Sequence, residues 1–176
     1  MNLSLWQSVQ QMDTGQDQIR RRRYGVIETS AGNLTAIHFR PWPKLLAWPE
    51  IWPVGSEYHP RGQADRCLLY YNQPLRSSNF LALKYMVTTA STPFATFRAA
   101  LTTLYAIAQL KQTDAIVCDV SNSRISDRVL ARFGWHPHCQ QRWHRNFIKR
   151  FYGQYPGTSV PSDASTVAPV ADLAGV

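Results

Sequence analysis

DAIVCDVSNSRISDRVLARFGW, running from Asp114 to Trp135, is the stretch whose reading decides the fold. Its first part, Asp114 to Val120, is a short apolar run of the buried-strand kind. Ser123 to Phe133 then changes period and reads as an amphipathic helix. Ile125, Val129, Leu130 and Phe133 form its inner stripe, while Arg124, Arg128 and Arg132 line one outer edge at four-residue steps. Gly134 stands where helices commonly end on glycine. Trp135 to Cys139 and Trp143 to Arg150 follow as two strands.

Reading outward toward the N-terminus, Phe80 to Thr88 is apolar on both alternating faces, which predicts an interior strand covered on both sides. Thr92-Pro93 opens a helix, with Thr92 as N-cap and Pro93 at the first helical position. Phe94, Phe97, Leu101, Leu104, Tyr105 and Ala108 recur at helical spacing through to Lys111. Cys67 to Tyr71 is another strand. Tyr24 to Thr29 and Leu34 to Phe39 read as a hairpin about Ser30-Ala31-Gly32-Asn33. Lys44 to Trp52 reads as a short helix broken at Pro49, with Trp42, Trp48 and Trp52 gathered around it; Val54 to Arg66 is a loop. Met1 to Gln18 is polar and reads as a short helix, and the four arginines Arg20 to Arg23 form a solvated linker or a contact for phosphates. The expected division is a polar, basic segment over 1–23, one α/β domain over 24–152 and a disordered tail over 153–176 that holds no Lys or Arg.

The 176 residues suit one domain, and 12% aromatic residues supply a core. The formal net charge of +8 makes an anionic partner the natural suspicion: CoA, nucleic acid or an acidic protein. Cys67, Cys118 and Cys139 are odd in number and widely spaced, so a reducing compartment and buried free thiols in strands are expected. With no signal-like start and no run of membrane-spanning length, a cytoplasmic protein that does not enter membranes is the expectation. His136, His138, Cys139 and His144 show no standard ligand spacing, so no metal is assigned.

From Cys67 the order is strand, strand, helix, strand, helix, strand, strand, a mixed and mostly antiparallel sheet flanked by helices. That order, together with Asn122 at a strand end, a helix, and then Gly134-Trp135, resembles the conserved half of the GNAT acetyltransferase superfamily over Phe80 to about Phe151. The resemblance implies a GNAT-like α/β fold and either an acyl-CoA-dependent N-acyltransferase or a catalytically silent relative. It places the acetyl-CoA or other acyl-CoA site at Thr88, Thr89, Ala90, Ser91 and Thr92, with Asn122. Departures accompany it. GNAT enzymes cradle the pyrophosphate in a glycine-containing loop, whereas Thr88 to Pro93 has no glycine and no basic residue. Many also place an acidic Tyr four residues before the closing Gly, and here Leu130 stands there. Asp119, near the end of a central strand, is the one carboxylate of this half read as a general base, the other reading being a hydrogen-bonded structural aspartate. The alternative function is a basic binding module in which Arg124, Arg128 and Arg132 take a polyanion, nucleic acid or an acidic protein, joined by the basic and aromatic stretch Arg142 to Tyr152.

Overall fold

The computed structural model describes residues 7–43, 65–89, 92–120, 126–139, 142 and 145–156. Among these residues eight strands form one sheet: β1 (Gln7–Val9), β2 (Tyr24–Ser30), β3 (Asn33–Phe39), β4 (Cys67–Asn72), β5 (Phe80–Thr88), β6 (Ala115–Asp119), β7 (His136–Pro137) and β8 (Asn146–Arg150). Among the described residues three helices accompany them: α1 (Gln16–Arg21), α2 (Phe94–Leu110) and α3 (Asp127–Arg132). The order across the sheet is β1-β3-β2-β4-β5-β6-β8-β7. Every neighbouring pair is antiparallel except β5 with β6. The parallel pair is the one bridged by α2, as a crossover between parallel strands requires. The mixed, mostly antiparallel sheet flanked by helices is the fold class the sequence predicts.

Alternation along the strands sorts the sheet into two faces. One buries Ile27, Ile37, Phe39, Leu69, Tyr71 and Ile116 in the main core with Leu104 and Ile107 of α2. The other carries a smaller cluster of Val26, Leu68 and Tyr70, with Tyr85 and Val87 packed on it. Gly25 is fixed by the first core: any Cβ there would lie 2.7 Å from the buried Tyr71 ring, so only hydrogen fits.

Several local expectations are corrected. Within the N-terminal segment Gln7–Val9 form strand β1, and the described helix lies later, taking in Arg20 and Arg21 of the arginine run. Arg23 is half-buried and donates to the Pro74 carbonyl at 3.4 Å, so it is no solvated linker residue. α2 begins one residue late: Pro93 is the N-cap and Phe94 the first helical residue. Pro93 has extended ψ, and the Thr92 hydroxyl is spent elsewhere. Phe94, assigned to the inner stripe, is 60% exposed, because the buried face runs through Thr96, Ala100 and Ile107. Val129 of α3 is also exposed, and only Leu130 of that helix is buried. β5 is an interior strand, yet only Leu81 of it is fully buried and Lys84 is exposed. Cys67 and Cys118 are buried free thiols on strands, whereas Cys139 is exposed beyond β7. The tryptophan-rich segment, apart from the exposed Trp42, lies outside the described residues.

Candidate functional site

Pairing between β5 and β6 runs from Phe80↔Ala115 to Leu83↔Cys118 and stops. β5 continues to Thr88, paired from there only with β4. The five residues Lys84 to Thr88 thus run about 16 Å at 3.3 Å per residue with no β6 neighbour. In an antiparallel pairing the residues along a strand alternate in which flank their backbone groups address, so part of this run turns N–H and C=O groups toward the opening. Both parallel strands end there, which is where crevices form in α/β sheets.

α2 starts beside this opening. No side chain caps it, and Pro93 brings no N–H. The Thr96 and Phe97 N–H groups bond the Pro93 carbonyl at 3.1 and 3.4 Å, and the Thr96 hydroxyl donates to Asp65 Oδ2 at 2.9 Å, which leaves the Phe94 and Ala95 N–H groups at the helix start. Partial positive charge collects at such an end. The loop before it is held by a closed ring of hydrogen bonds. The Thr92 hydroxyl donates to the Arg66 carbonyl at 3.0 Å. The Arg66 N–H donates to the Thr89 hydroxyl at 3.3 Å. The two hydroxyls lie 2.7 Å apart, and with the Thr92 proton committed, Thr89 is the donor between them. Thr89 and Thr92, both assigned to cofactor binding, therefore serve the loop itself. Thr88 is half-buried at the end of β5, and Ala90, Ser91 and Asn122 lie outside the described residues.

Asp119 is exposed at the end of β6, opposite Asn146 of β8. Alternation puts it on the face away from the main core, because its neighbour Cys118 belongs to that core. Leu130 is 9% exposed and packs in the core, and its aliphatic side chain supplies no proton. Of the arginine stripe, Arg128 and Arg132 are exposed, while Arg124 lies outside the described residues. Arg145 ion-pairs with Asp127 in the first turn of α3, which Ser126 caps by accepting from the Val129 N–H at 3.3 Å.

A second polar cluster escaped the sequence reading. On the face of the smaller cluster, Glu28 Oε2 meets His38 Nε2 at 2.9 Å, and Glu28 Oε1 accepts from Arg66 Nε at 2.7 Å. Burial pushes the Glu28 carboxyl up, but the hydrogen bonds from His38 and Arg66 outweigh it and hold the group below the usual range. Arg66 thus joins this carboxylate, through its side chain, to the threonine ring, through its backbone. Glu28 and Asp119 share a sheet face but stand three strands apart, at least about 14 Å at 4.8 Å per strand, so they form no carboxylate pair. The signal available in sequence was a charged Glu28 and a polar His38 interrupting apolar strands.

No family model and no curated protein matches the chain. Among solved structures a nourseothricin acetyltransferase is similar, with 8% identity, coverage of 84% of this chain and 99% of that chain, and a TM-score of 0.40. Among the described residues no helix is long and apolar enough to cross a membrane.

Proposed function

We propose that this protein binds acyl-CoA weakly in the opening between β5 and β6, and that its acyl-transfer turnover is slow or absent. The observation that carries the reading is the end of β5–β6 pairing at Leu83 and Cys118, five residues before β5 ends beside an uncapped helix. An extended amide-bearing arm suits a strand edge with backbone donors and acceptors. A pyrophosphate suits the uncapped helix end.

Weakness follows from the loop. Glycines let backbone N–H groups close on phosphate, and here two threonine hydroxyls are tied to Arg66 instead. Slowness follows from the proton inventory. A departing thiolate needs an acid that buried Leu130 does not provide, and an attacking amine needs a base. Asp119, exposed at the end of β6, is the candidate base on this side of the opening, acting directly or through a water.

Thermal unfolding across an acetyl-CoA titration tests the reading. Ligand at 100 times its dissociation constant adds about 2.7 kcal/mol, roughly 5–10 °C for a chain of this size. The expected result is a saturable shift reached only at millimolar ligand. No saturable shift removes CoA from the account, and saturation at micromolar ligand with fast turnover restores a working acyltransferase.

A further inference from the structure

Singly exposed apolar side chains are ordinary, but a joined group of them is not. Phe94, the first residue of α2, is 60% exposed, and Val129 of α3 is exposed as well. Phe133, at the C-cap of α3, joins them. It lies one helical turn from Val129, and its ring centroid is 5.8 Å from those of both Phe94 and Phe97. Phe94 also stacks on Phe97, at 5.9 Å with 28° between the planes. Phe97 and Phe133 pack against the main core, so two anchored rings hold the third in place at the surface. Exposed arginines flank the rings. Arg98 is one turn beyond Phe94 and, at about 100° per residue, on the side away from Phe97. Arg128 and Arg132 directly precede Val129 and Phe133.

Among the described residues the nearby acids do not cancel this charge. Asp127 is paired with Arg145. Asp65 sits on the other flank of α2, where it accepts from the Thr96 hydroxyl, and Asp119 belongs to the opposite face of the sheet. Lys149 adds a cation beneath the rings, its ammonium donating to the Phe133 carbonyl. Counting Arg98, Arg128, Arg132 and Lys149 against Asp65, with the Asp127–Arg145 pair neutral, the patch carries +3.

We infer that this surface docks a single-stranded nucleic acid, its bases on the Phe94, Phe97 and Phe133 rings and its phosphates on Arg98, Arg128 and Arg132. Charge complementarity selects a polyanion, and the rings select one that carries flat bases. An aromatic ring held at the surface stacks on any base, and arginines around it meet the phosphates that flank that base. Stacking needs unpaired bases, because in a duplex the base faces cover one another. An acidic peptide would use the charge and leave the exposed ring of Phe94 without a stacking partner. The inference goes beyond the acyl-CoA reading, and its test contains no CoA, so the two fail separately.

Fluorescence anisotropy of a labelled oligouridylate of about ten nucleotides, titrated with the full-length chain, tests it, with duplex RNA of that length, heparin and polyglutamate as parallel arms. The single strand is expected to bind saturably, and the duplex and polyglutamate at least about tenfold more weakly. Phe94→Ala is expected to lose at least about fivefold for the single strand, the lower end of base–aromatic stacking, and to leave heparin affinity unchanged. Replacing Arg98, Arg128 and Arg132 by glutamine should flatten the slope of log affinity against log salt by about two, at roughly 0.7 per phosphate contact on a single strand. In the wild-type chain the amide resonances of Phe94 to Arg98 and of Val129 to Phe133 are expected to move with the oligouridylate, a readout that needs no variant to fold. No saturable binding of the strand, equal affinity for duplex or polyglutamate, or resonance shifts confined to other residues would each overturn the inference. So would wild-type strand affinity in Phe94→Ala, an equal loss for strand and heparin, or an unchanged salt slope.

Discussion

Glu28 and His38 meet because of one extra residue. The hairpin pairs Ser30 with Asn33 and Thr29 with Leu34, but Glu28 with Ala36, so Thr35 is bulged out. Without the bulge Glu28 would oppose Thr35, and His38 would point to the other face, since a one-residue slip inverts every side chain beyond it. Hydropathy shows both strands and the turn; it does not show the bulge, and so the cluster was invisible in the sequence. The consequence can be measured in acid. A carboxyl held below its usual range stabilises the fold above its unfolded value of roughly 4.3, and that stabilisation is lost as pH falls through the lower, folded value. Glu28→Gln should therefore show a flatter dependence of melting temperature on pH below about 4.3 than the wild type. Identical slopes would mean that the pairs with His38 and Arg66 contribute nothing to folding.

The elements were largely legible where periodicity is long and strong, as in α2 and in β4 to β6. What failed were their ends, which hydrogen bonds settle. Thr92 has the composition of an N-cap, yet its hydroxyl bonds Arg66 across 26 residues. Likewise α1 is too short to be marked by periodicity and is held from outside. Lys111, at the C-cap of α2, donates to the carbonyls of Arg20 and Arg22 at 3.2 and 2.8 Å and to Gln73 Oε1 at 3.0 Å. A cation placed on the last carbonyls of a helix satisfies acceptors that have no partner within it. Burial, with Arg23 adding to it, pushes the Lys111 ammonium down to about 8, so the clip is charged at neutral pH and weakens above it. Lys111→Met should cost about 1.5–3 kcal/mol in denaturant titrations, the usual contribution of hydrogen bonds to a charged group. A variant as stable as the wild type would show that α1 holds itself.

The C-terminal boundary is a matter of elements too. The tail was expected from Gly153, but Tyr155 packs on Phe151 with ring centroids 4.7 Å apart and donates to the Thr113 carbonyl at 2.9 Å. A chain ending at Pro156 should match full-length stability within about 0.5 kcal/mol, as for changes away from the core. Ending it at Gln154 should cost more than that. Equal stability of both truncations would make the Tyr155 contact incidental. Composition had shown that this end is rich in Ser, Pro, Ala and Gly and holds no Lys or Arg; it cannot show that one aromatic folds back.

For the whole molecule, topology was the best read and chemistry the least. The strand and helix order from Cys67 was in the sequence, because each change of hydrophobic period marks an element. The place where β5 leaves β6 was not, since pairing depends on where two distant segments part. Net charge is a property of this scale as well. With +8 overall and Arg128 and Arg132 exposed, polyanion binding should be salt-sensitive if the arginine stripe takes part. Replacing Arg124, Arg128 and Arg132 together should flatten the slope of log affinity for heparin against log salt by up to about three. An unchanged slope removes them from any such interface.

The central claim is that acyl-CoA occupies the gap between β5 and β6, and amide hydrogen exchange with and without millimolar CoA addresses it most directly. The account predicts added protection at amides within Lys84 to Thr88 and at Phe94 and Ala95, where β5 runs on beyond its pairing with β6 and the helix end has no side-chain cap. Amides of β2 and β3, across β4 from the gap, should be unaffected. Protection confined to α3, or none anywhere, would contradict it.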